Sequence, residues 1–576
     1  MRKLTGLPAA SGIALGPAFI YSHTVLNAER YHIDDVNREL EKLESALTQA
    51  EADLQSLTQR AREQVGKAEG QIFEAQVAMM RDPELQKRVY DMVQEKGINI
   101  GFAWQEAVQF FAQTLRDVDD EYLAARAADV EDVGQRVLSI LLGQPLVSNR
   151  PDEPSIILAD ELTPADTVLF DRATVLAYCT QGGGPTSHVA ILSKAQGVPC
   201  IVGLGTELAA IDHGTFLVVD GNSGLILIDP DVQTREDYVS RAGGQLNLHL
   251  NAIKNAGLPA ETSDGKRVEV VANVGSYMDA VEAIEYGAEG IGLLRTEFLF
   301  LDRASAPDEA EQIGTYSAIF KVMGTSKPIV VRTLDIGGDK PATYLNMPKE
   351  DNPFLGLRGI RLSLRFQQLF ESQLRALLLA GAGYDLRIMF PMVSTLDELS
   401  QARNLLERSR LALSSEGKAY CERVQVGIMV EVPSAAIMAN VFADVVDFFS
   451  IGTNDLSQYT LAAERTSADV AHLADPFQPA VLELIRLVIE AAHNKGKWVG
   501  ICGELAGEPL ATPLLLGLQL DEFSASPKLI PELKQMIRKF SSQATREIAR
   551  AAMRLPNVRE VREYLQLIVK EANPGK

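Results

Sequence analysis

Thr180-Gln181-Gly182-Gly183-Gly184-Pro185-Thr186-Ser187-His188-Val189-Ala190-Ile191-Leu192 joins three local signals. The apolar run 175–178 ahead of it predicts a buried strand. Three glycines predict a turn that only flexible backbone can make, and Pro185 suits the first turn of a helix. His188 then falls near a helix N-terminus, where unpaired N–H groups and the helix dipole favour negative charge, such as a phosphoryl group on or near the imidazole. Neutral imidazole is a usable nucleophile near pH 7, and a phosphorylated ring nitrogen stays a reactive donor. A helix-capping Thr beside an ordinary histidine would fit the same residues. The rest of the chain has to separate the two.

Outward from that stretch, apolar runs at 155–159, 198–202, 216–220 and 225–228 predict further strands, the last two joined by the turn Gly221-Asn222-Ser223-Gly224. With residues 1–21, read as a glycine-rich strand pair, they form an α/β domain over 1–21 and 147–230. Its two parts are separated by a segment of different character. From Asp34 onward, Val36, Leu40, Leu43, Leu47, Ala50, Leu54 and Leu57 recur at alternating spacings of four and three, the seam of a long packed helix. Helical patterns continue through 72–80, 102–115 and 120–142. Residues 22–146 are therefore expected to be an inserted helical bundle, either purely structural or a docking surface for a partner protein. Residues 231–260 are polar and helix-compatible, and are read as a linker.

From Arg267 the pattern becomes regular. Short apolar runs at 268–272, 290–294, 328–331, 386–390, 424–430, 446–451, 498–501 and 521–523 are mostly separated by helix-length segments, which predicts a (β/α)₈ barrel within 261–576. The active site of such a barrel lies at the C-terminal ends of its strands. Those ends carry Asn273; Arg295 and Glu297; Arg332, Asp335, Asp339 and Lys340; Glu431; Asn454 and Asp455; Cys502 and Glu504. Polar strand ends occur in any barrel, but convergence of two arginines, two acids and a cysteine on one mouth points to chemistry.

Glu431 and Asp455 offer carboxylate oxygens from adjacent strands, which suits Mg²⁺, a hard cation held by one or two carboxylates plus substrate oxygens. Arg295, Arg332 and Arg465, with Arg358 beside them, offer forked donors for a phosphate. The set describes a site for a small phosphorylated carboxylic acid. Pairing of Glu431 with an arginine, or surface salt bridges at Arg358 and Arg465, are the purely structural alternatives. Cys502 is either a small buried hydrophobe or, at the mouth, a thiol that protonates a carbanion-like enolate.

A chain of 576 residues is too long for one core and implies three or four domains. Its formal net charge of −22 argues against non-specific nucleic-acid binding and requires a local cationic cluster for any anionic substrate. The four cysteines show neither metal-ligand spacing nor a disulfide framework, which predicts a reducing cytoplasm. The opening apolar run is broken by Gly6, Pro8, Gly12, Gly16 and Pro17, unlike a signal-peptide core. No run is long enough to span a membrane.

Taken together these residues resemble Enzyme I of the bacterial phosphoenolpyruvate-dependent sugar phosphotransferase system, the phosphoenolpyruvate-protein phosphotransferases. The likeness is carried by Gly183-Gly184-Pro185-Thr186-Ser187-His188, Gly290-Ile291-Gly292-Leu293-Leu294-Arg295-Thr296-Glu297-Phe298, Arg332-Thr333-Leu334-Asp335-Ile336-Gly337-Gly338-Asp339-Lys340, Asn352-Pro353-Phe354-Leu355-Gly356-Leu357-Arg358, Ser450-Ile451-Gly452-Thr453-Asn454-Asp455-Leu456-Ser457-Gln458-Tyr459 and Cys502-Gly503-Glu504-Leu505-Ala506-Gly507. In the helical segment, Asp120-Glu121-Tyr122-Leu123 and Arg126-Ala127-Ala128-Asp129-Val130 match as well.

The resemblance implies a multidomain α/β protein: a swivelling phosphohistidine domain with an inserted α-helical bundle, followed by a (β/α)₈ barrel. It implies that His188 takes phosphate from phosphoenolpyruvate on Nε2 and passes it to a histidine of the carrier HPr, docked on the helical insertion. Arg295, Arg332, Asn454, Asp455 and Arg465, with Arg358, would bind phosphoenolpyruvate. Glu431 and Asp455 would hold Mg²⁺, Cys502 would protonate the enolate to pyruvate, and Thr167 would orient the histidine. The barrel would form a homodimer in the cytoplasm. Pro185 stands where many Enzymes I carry Arg and is similar to the Enzyme I modules of fused multiphosphoryl transfer proteins, which leaves a dedicated HPr-like carrier as an alternative. Pyruvate, phosphate dikinase and phosphoenolpyruvate synthase share the likeness but need a nucleotide-binding domain for which this chain has no candidate. A catalytically silent phosphoenolpyruvate sensor is disfavoured because His188 and Cys502 are both present.

Overall fold

The computed structural model describes residues 2–22, 26–64, 75–117, 121–144, 151–163, 166, 170–184, 187–301, 303–338, 342, 344–345, 347, 350–465, 467 and 470–572; for 60–64, 121–126, 128, 188, 191, 195, 245–247 and 249 it describes the backbone alone. The chain forms two compact units, Met1–Gln245 and Leu246–Lys576.

In the first unit, β1 (Arg2–Thr5), β2 (Leu7–Ala10), β3 (Ile13–Ile20), β4 (Ser155–Ala159), β5 (Val175–Thr180), β6 (Cys200–Val202), β7 (Phe216–Asp220) and β8 (Leu225–Ile228) make one sheet in the order β1-β8-β7-β3-β4-β5-β6-β2. Strands β3 to β6 run parallel and the outer pairings are antiparallel. The N-terminal segment, expected as a strand pair, holds three strands. It divides at Gly6, where a Cβ would come within 2.7 Å of the Val202 carbonyl oxygen, so β1 and β2 part to opposite edges of the sheet. Side chains alternate with the pleat. Ile156, Leu158, Ala177 and Cys179 enter one apolar cluster while Ile157, Ala159, Tyr178 and Cys200 enter the other.

A separate apolar cluster belongs to the helices Val36–Gln64, Pro83–Lys96, Ile100–Arg116 and Glu121–Leu142. The expected seam is its spine: Leu43, Leu47, Ala50 and Leu54 are fully buried, each leucine contributing roughly 1.5–3 kcal/mol. Gly134 lets the last two helices approach, because a Cβ there would lie 2.4 Å from a Val108 methyl. Trp104 beside it donates its indole N–H to the Gly134 carbonyl at 2.9 Å.

Residues 231–260 are largely one helix, Val232–Lys254. Its first half is tied to the sheet by Arg241, 3.1 Å from the buried Asp220. Just beyond its last turn, the buried Lys534 donates to the carbonyls of Ala256 and Leu258, and Arg538 to those of Asn255, Leu258 and Pro259. The division between units falls after Gln245, one residue beyond the pair Gly243 and Gly244.

The second unit is a closed parallel barrel of β9 (Glu269–Val274), β10 (Ile291–Leu294), β11 (Pro328–Arg332), β12 (Asp385–Phe390), β13 (Gln425–Val430), β14 (Phe448–Ile451), β15 (Trp498–Ile501) and β16 (Glu522–Ala525). Each predicted run holds one strand. Parallel strands are buried on both faces, and here one face packs on the surrounding helices. The other, with Leu293, Val330, Met389, Met429 and Phe448, fills the barrel interior.

Glu522, near the N-terminal end of the barrel, is 1% exposed, and neither carboxylate oxygen has a hydrogen-bond partner among the described residues. Burial, and then Glu269, push its carboxyl up to about 8. An unfolded glutamate ionises near pH 4.3, so the folded state holds the extra proton in between and its stability falls as pH rises toward 8. Glu522→Gln cannot titrate. It should gain about 1–4 kcal/mol over the parent at pH 8.5, a gain that shrinks toward pH 5. Thermal unfolding across that range tests this; a shift independent of pH would remove the buried charge as its cause.

Candidate active site

His188 opens the helix His188–Gln196 at the end of β5. Ser187 precedes it in extended conformation (φ −64°, ψ 159°) and makes no side-chain cap, which leaves the first-turn N–H groups to other partners. Backbone bonds pin the glycine turn: Gln181 N–H donates to Ala159 O at 3.0 Å and Gly203 N–H to Gly182 O at 3.1 Å. Gly183 has φ 86°, a conformation that favours glycine. Pro185, Thr186, Thr167, Asp339 and Lys340 lie outside the described residues. In the stretch before Thr167, Asp166 accepts from the Thr163 N–H at 2.7 Å and from the Tyr21 hydroxyl at 2.5 Å.

Most of the other candidates gather at the C-terminal mouth of the barrel because they end a parallel strand or lie in the segment that follows it, with Arg358 further along the connection from β11 to β12. Arg295 follows β10, Arg332 ends β11, Glu431 follows β13 and Cys502 follows β15. Asn454 and Asp455 sit in the first turn of the helix Thr453–Leu461 after β14. Asn454 is fixed by exchanging hydrogen bonds with Glu504, to its side chain at 3.2 Å and from its N–H at 3.1 Å. Arg465 follows the same helix, its backbone N–H donating to Gln458 at 3.1 Å. Arg295 is exposed.

Arginines and carboxylates alternate through the floor of the mouth. Arg332 lies 3.0 Å from Glu297 and 3.1 Å from Asp335. Arg358 lies 3.2 Å from Asp335 and 3.0 Å from Asp455. All five side chains are less than a tenth exposed, and buried charges persist when paired in this way. Burial alone would lower the pKa of both arginines, but the surrounding carboxylates raise them further still. The Arg332 Nε is buried with no hydrogen-bond partner among the described residues, so one donor of that fork is unspent.

Glu431 is 1% exposed. One oxygen accepts from the Met392 N–H at 2.8 Å. Met392 has φ 57°, a strained conformation for a non-glycine residue, which aims that N–H at the carboxylate. The other oxygen has no hydrogen-bond partner among the described residues, with Arg332 at 3.9 Å. Burial first, then the charges of Asp335 and Asp455, push Glu431 up to about 8 against the pull of Arg332 and Arg358. Gly452 leaves room for it: a Cβ there would lie 2.7 Å from the Glu431 Cγ.

The buried Cys502 thiol accepts from the Ser450 hydroxyl at 3.1 Å and faces the Ile451 carbonyl at 3.7 Å. Burial pushes it up to about 12, against the Ser450 hydrogen bond and the charges of Arg332 and Arg295, with Glu431 adding to the rise. It is therefore a protonated thiol at neutral pH, a donor rather than a nucleophile.

Arg332, Arg358, Glu431, Asp455 and Cys502 thus form one buried cluster, while His188 belongs to the other unit. Glu297 and Asp335, which the sequence offers as strand-end acids without a role, complete the cluster together with Ser450 and Met392. Glu297 and Asp335 were visible as polar strand ends; nothing local marks Ser450 or Met392.

Residues 251–542 match the family described as PEP-utilising enzyme, PEP-binding domain. Residues 5–126 match PEP-utilising enzyme, N-terminal, and residues 151–224 match PEP-utilising enzyme, mobile domain. The chain is 41% identical to the phosphoenolpyruvate-protein phosphotransferase of Priestia megaterium over 98% of this chain and 99% of that protein. To that of Geobacillus stearothermophilus it is 42% identical over 98% of each. A solution structure of Enzyme I, 33% identical, aligns with 42% of this chain and 99% of its own at a TM-score of 0.38. By the identity and extent of these matches, the chain belongs to the phosphoenolpyruvate-protein phosphotransferases, within the PEP-utilising enzymes.

Proposed function

We infer that this protein is the phosphoenolpyruvate-protein phosphotransferase of a sugar phosphotransferase system, moving phosphate from phosphoenolpyruvate to His188 and then to a histidine of HPr. The observation that carries this reading is the buried, protonated Cys502 thiol beside Arg332 and Glu431. Cleaving phosphoenolpyruvate leaves an enolate that needs a proton at carbon, and the buried thiol held by Ser450 supplies it. In the transfer, the phosphorus–oxygen bond of the substrate breaks as His188 Nε2 bonds phosphorus. The enolate then takes the thiol proton to become pyruvate, and solvent restores the thiol.

Arg295, Arg332 and Arg465 grip the phosphate and carboxylate, with Asn454 as a further donor, and Thr167 orients the histidine. Enzymes of this family need a divalent metal. Glu431 and Asp455 would hold Mg²⁺, a fit supported by the Glu431 oxygen that lacks a hydrogen-bond partner and by the concentrated negative charge around it. Bound there, Mg²⁺ supplies positive charge to substrate oxygens. Among the described residues no group of three or more His, Cys, Asp or Glu side chains is placed to hold a metal; substrate oxygens and water commonly complete the shell of Mg²⁺.

Docking of HPr on residues 22–146, a homodimer through the barrel at 261–576 and a cytoplasmic location belong to the same reading. Exposed Leu355, Ile437 and Met438 give the barrel unit apolar surface for such pairing. No helix among the described residues is long and apolar enough to cross a membrane.

Incubation with labelled phosphoenolpyruvate and Mg²⁺ should give an acid-labile phosphohistidine that chases onto added HPr; binding without labelling would make the protein a sensor instead. Cys502→Ala should slow pyruvate release about 10²–10⁴-fold while Mn²⁺ affinity stays at the parent value. Unchanged pyruvate release would make the thiol structural.

A further inference from the structure

Arg358 has no donor left for a substrate. Its Nε–H and one Nη2–H go to Asp335, both at 3.2 Å. Its other Nη2–H and one Nη1–H go to the two oxygens of Asp455, at 3.1 and 3.0 Å, and the last Nη1–H to the Tyr459 hydroxyl at 3.4 Å. A guanidinium has five N–H donors, and all five are spent. Asp455 is correspondingly taken, with an arginine hydrogen on each oxygen. The contrast is Arg332, which keeps a buried Nε–H unpaired among the described residues.

We propose that Arg358 is the resident cation of the free enzyme, and that it gives up Asp455 to the divalent metal while Asp335, acting as a positioning residue, retains it. This rests on the reading of Glu431 and Asp455 as metal ligands. A buried carboxylate pair needs positive charge nearby at all times. Arg358 supplies it until the metal arrives and takes the oxygens Arg358 was using. Asp335 is what makes the exchange possible, because its two bonds hold the guanidinium in the mouth after Asp455 is gone. The freed Nη1–H and Nη2–H then face the same ground as the metal and become donors for an anionic substrate oxygen. Metal and substrate affinities are thereby coupled through one side chain.

The probe is Mn²⁺, titrated into the full-length protein without substrate and followed by the electron paramagnetic resonance of the free ion. Arg358→Met removes both the charge and the competing bonds and should bind Mn²⁺ at least tenfold more tightly than the parent. Arg358→Lys keeps the charge but cannot fork between two carboxylates, and should still bind several-fold more tightly, which a simple field effect would not produce. Asp335→Asn removes the charge and one of the two acceptor oxygens with which Asp335 holds Arg358, leaves Asp455 as its one carboxylate partner, and should bind several-fold more weakly. Parent-like or weaker binding by both Arg358 variants, each folded by its thermal transition, overturns the proposal. Glu431→Gln in the same titration keeps the two failures apart. Parent-like binding there would sink the metal site itself, whereas lost binding there with no tightening at Arg358 sinks only the exchange.

Discussion

The His188→Ala protein is expected to accept no phosphate from phosphoenolpyruvate while still binding phosphoenolpyruvate and metal as the parent does. His188, the proposed nucleophile, lies in the unit Met1–Gln245, and the arginine and carboxylate cluster in Leu246–Lys576. Removing a nucleophile costs on the order of 10⁴–10⁶-fold in turnover, which is complete loss in a labelling assay. The barrel cluster holds together through its own bonds, in which residue 188 takes no part. Calorimetric titration with phosphoenolpyruvate should therefore give the parent affinity. A histidine label surviving in this variant would move the acceptor to one of the other six of the seven histidines.

Glu431→Gln should show the next largest loss, several kcal/mol of transition-state stabilisation or roughly a thousandfold in turnover, together with loss of metal binding. The amide keeps the shape of the side chain, so the space beside Gly452 stays filled and the Met392 N–H keeps an acceptor. What disappears is a carboxyl group that can give up its proton and offer an anionic oxygen to a metal, at a position where one oxygen lacks any hydrogen-bond partner among the described residues. Steady-state turnover against Mg²⁺ concentration measures this. A variant with the parent's turnover and metal dependence would take Glu431 out of the metal site.

The barrel was legible because parallel strands are apolar on both faces, so each is a short unbroken run bounded by turn residues. Strand ends shifted by a residue or two, as at β6, where the run 198–202 yields Cys200–Val202. The N-terminal strands were harder: the division at Gly6 depends on contact with Val202, far off in sequence. In the site, Arg332, Glu431 and Cys502 could be found because each stands at the end of a recognisable strand. The engagement of Arg358 with Asp335 and Asp455 could not. It joins positions 97 residues apart, and a sequence supplies the arginine without its partners. Glu522 is the same case: within Asp521-Glu522-Phe523 it looks like one of two ordinary acids, and only barrel closure buries it.

On the proposed mechanism pyruvate and phosphohistidine arise in one event, with the barrel making the first and His188 keeping the second. Rapid quench of a single turnover, without carrier, measures both: pyruvate by enzymatic reduction and phosphate on the peptide containing His188 by mass spectrometry. One phosphorylated His188 is expected for each pyruvate formed, at the same rate. Pyruvate accumulating with free phosphate and an unmodified His188 would contradict it.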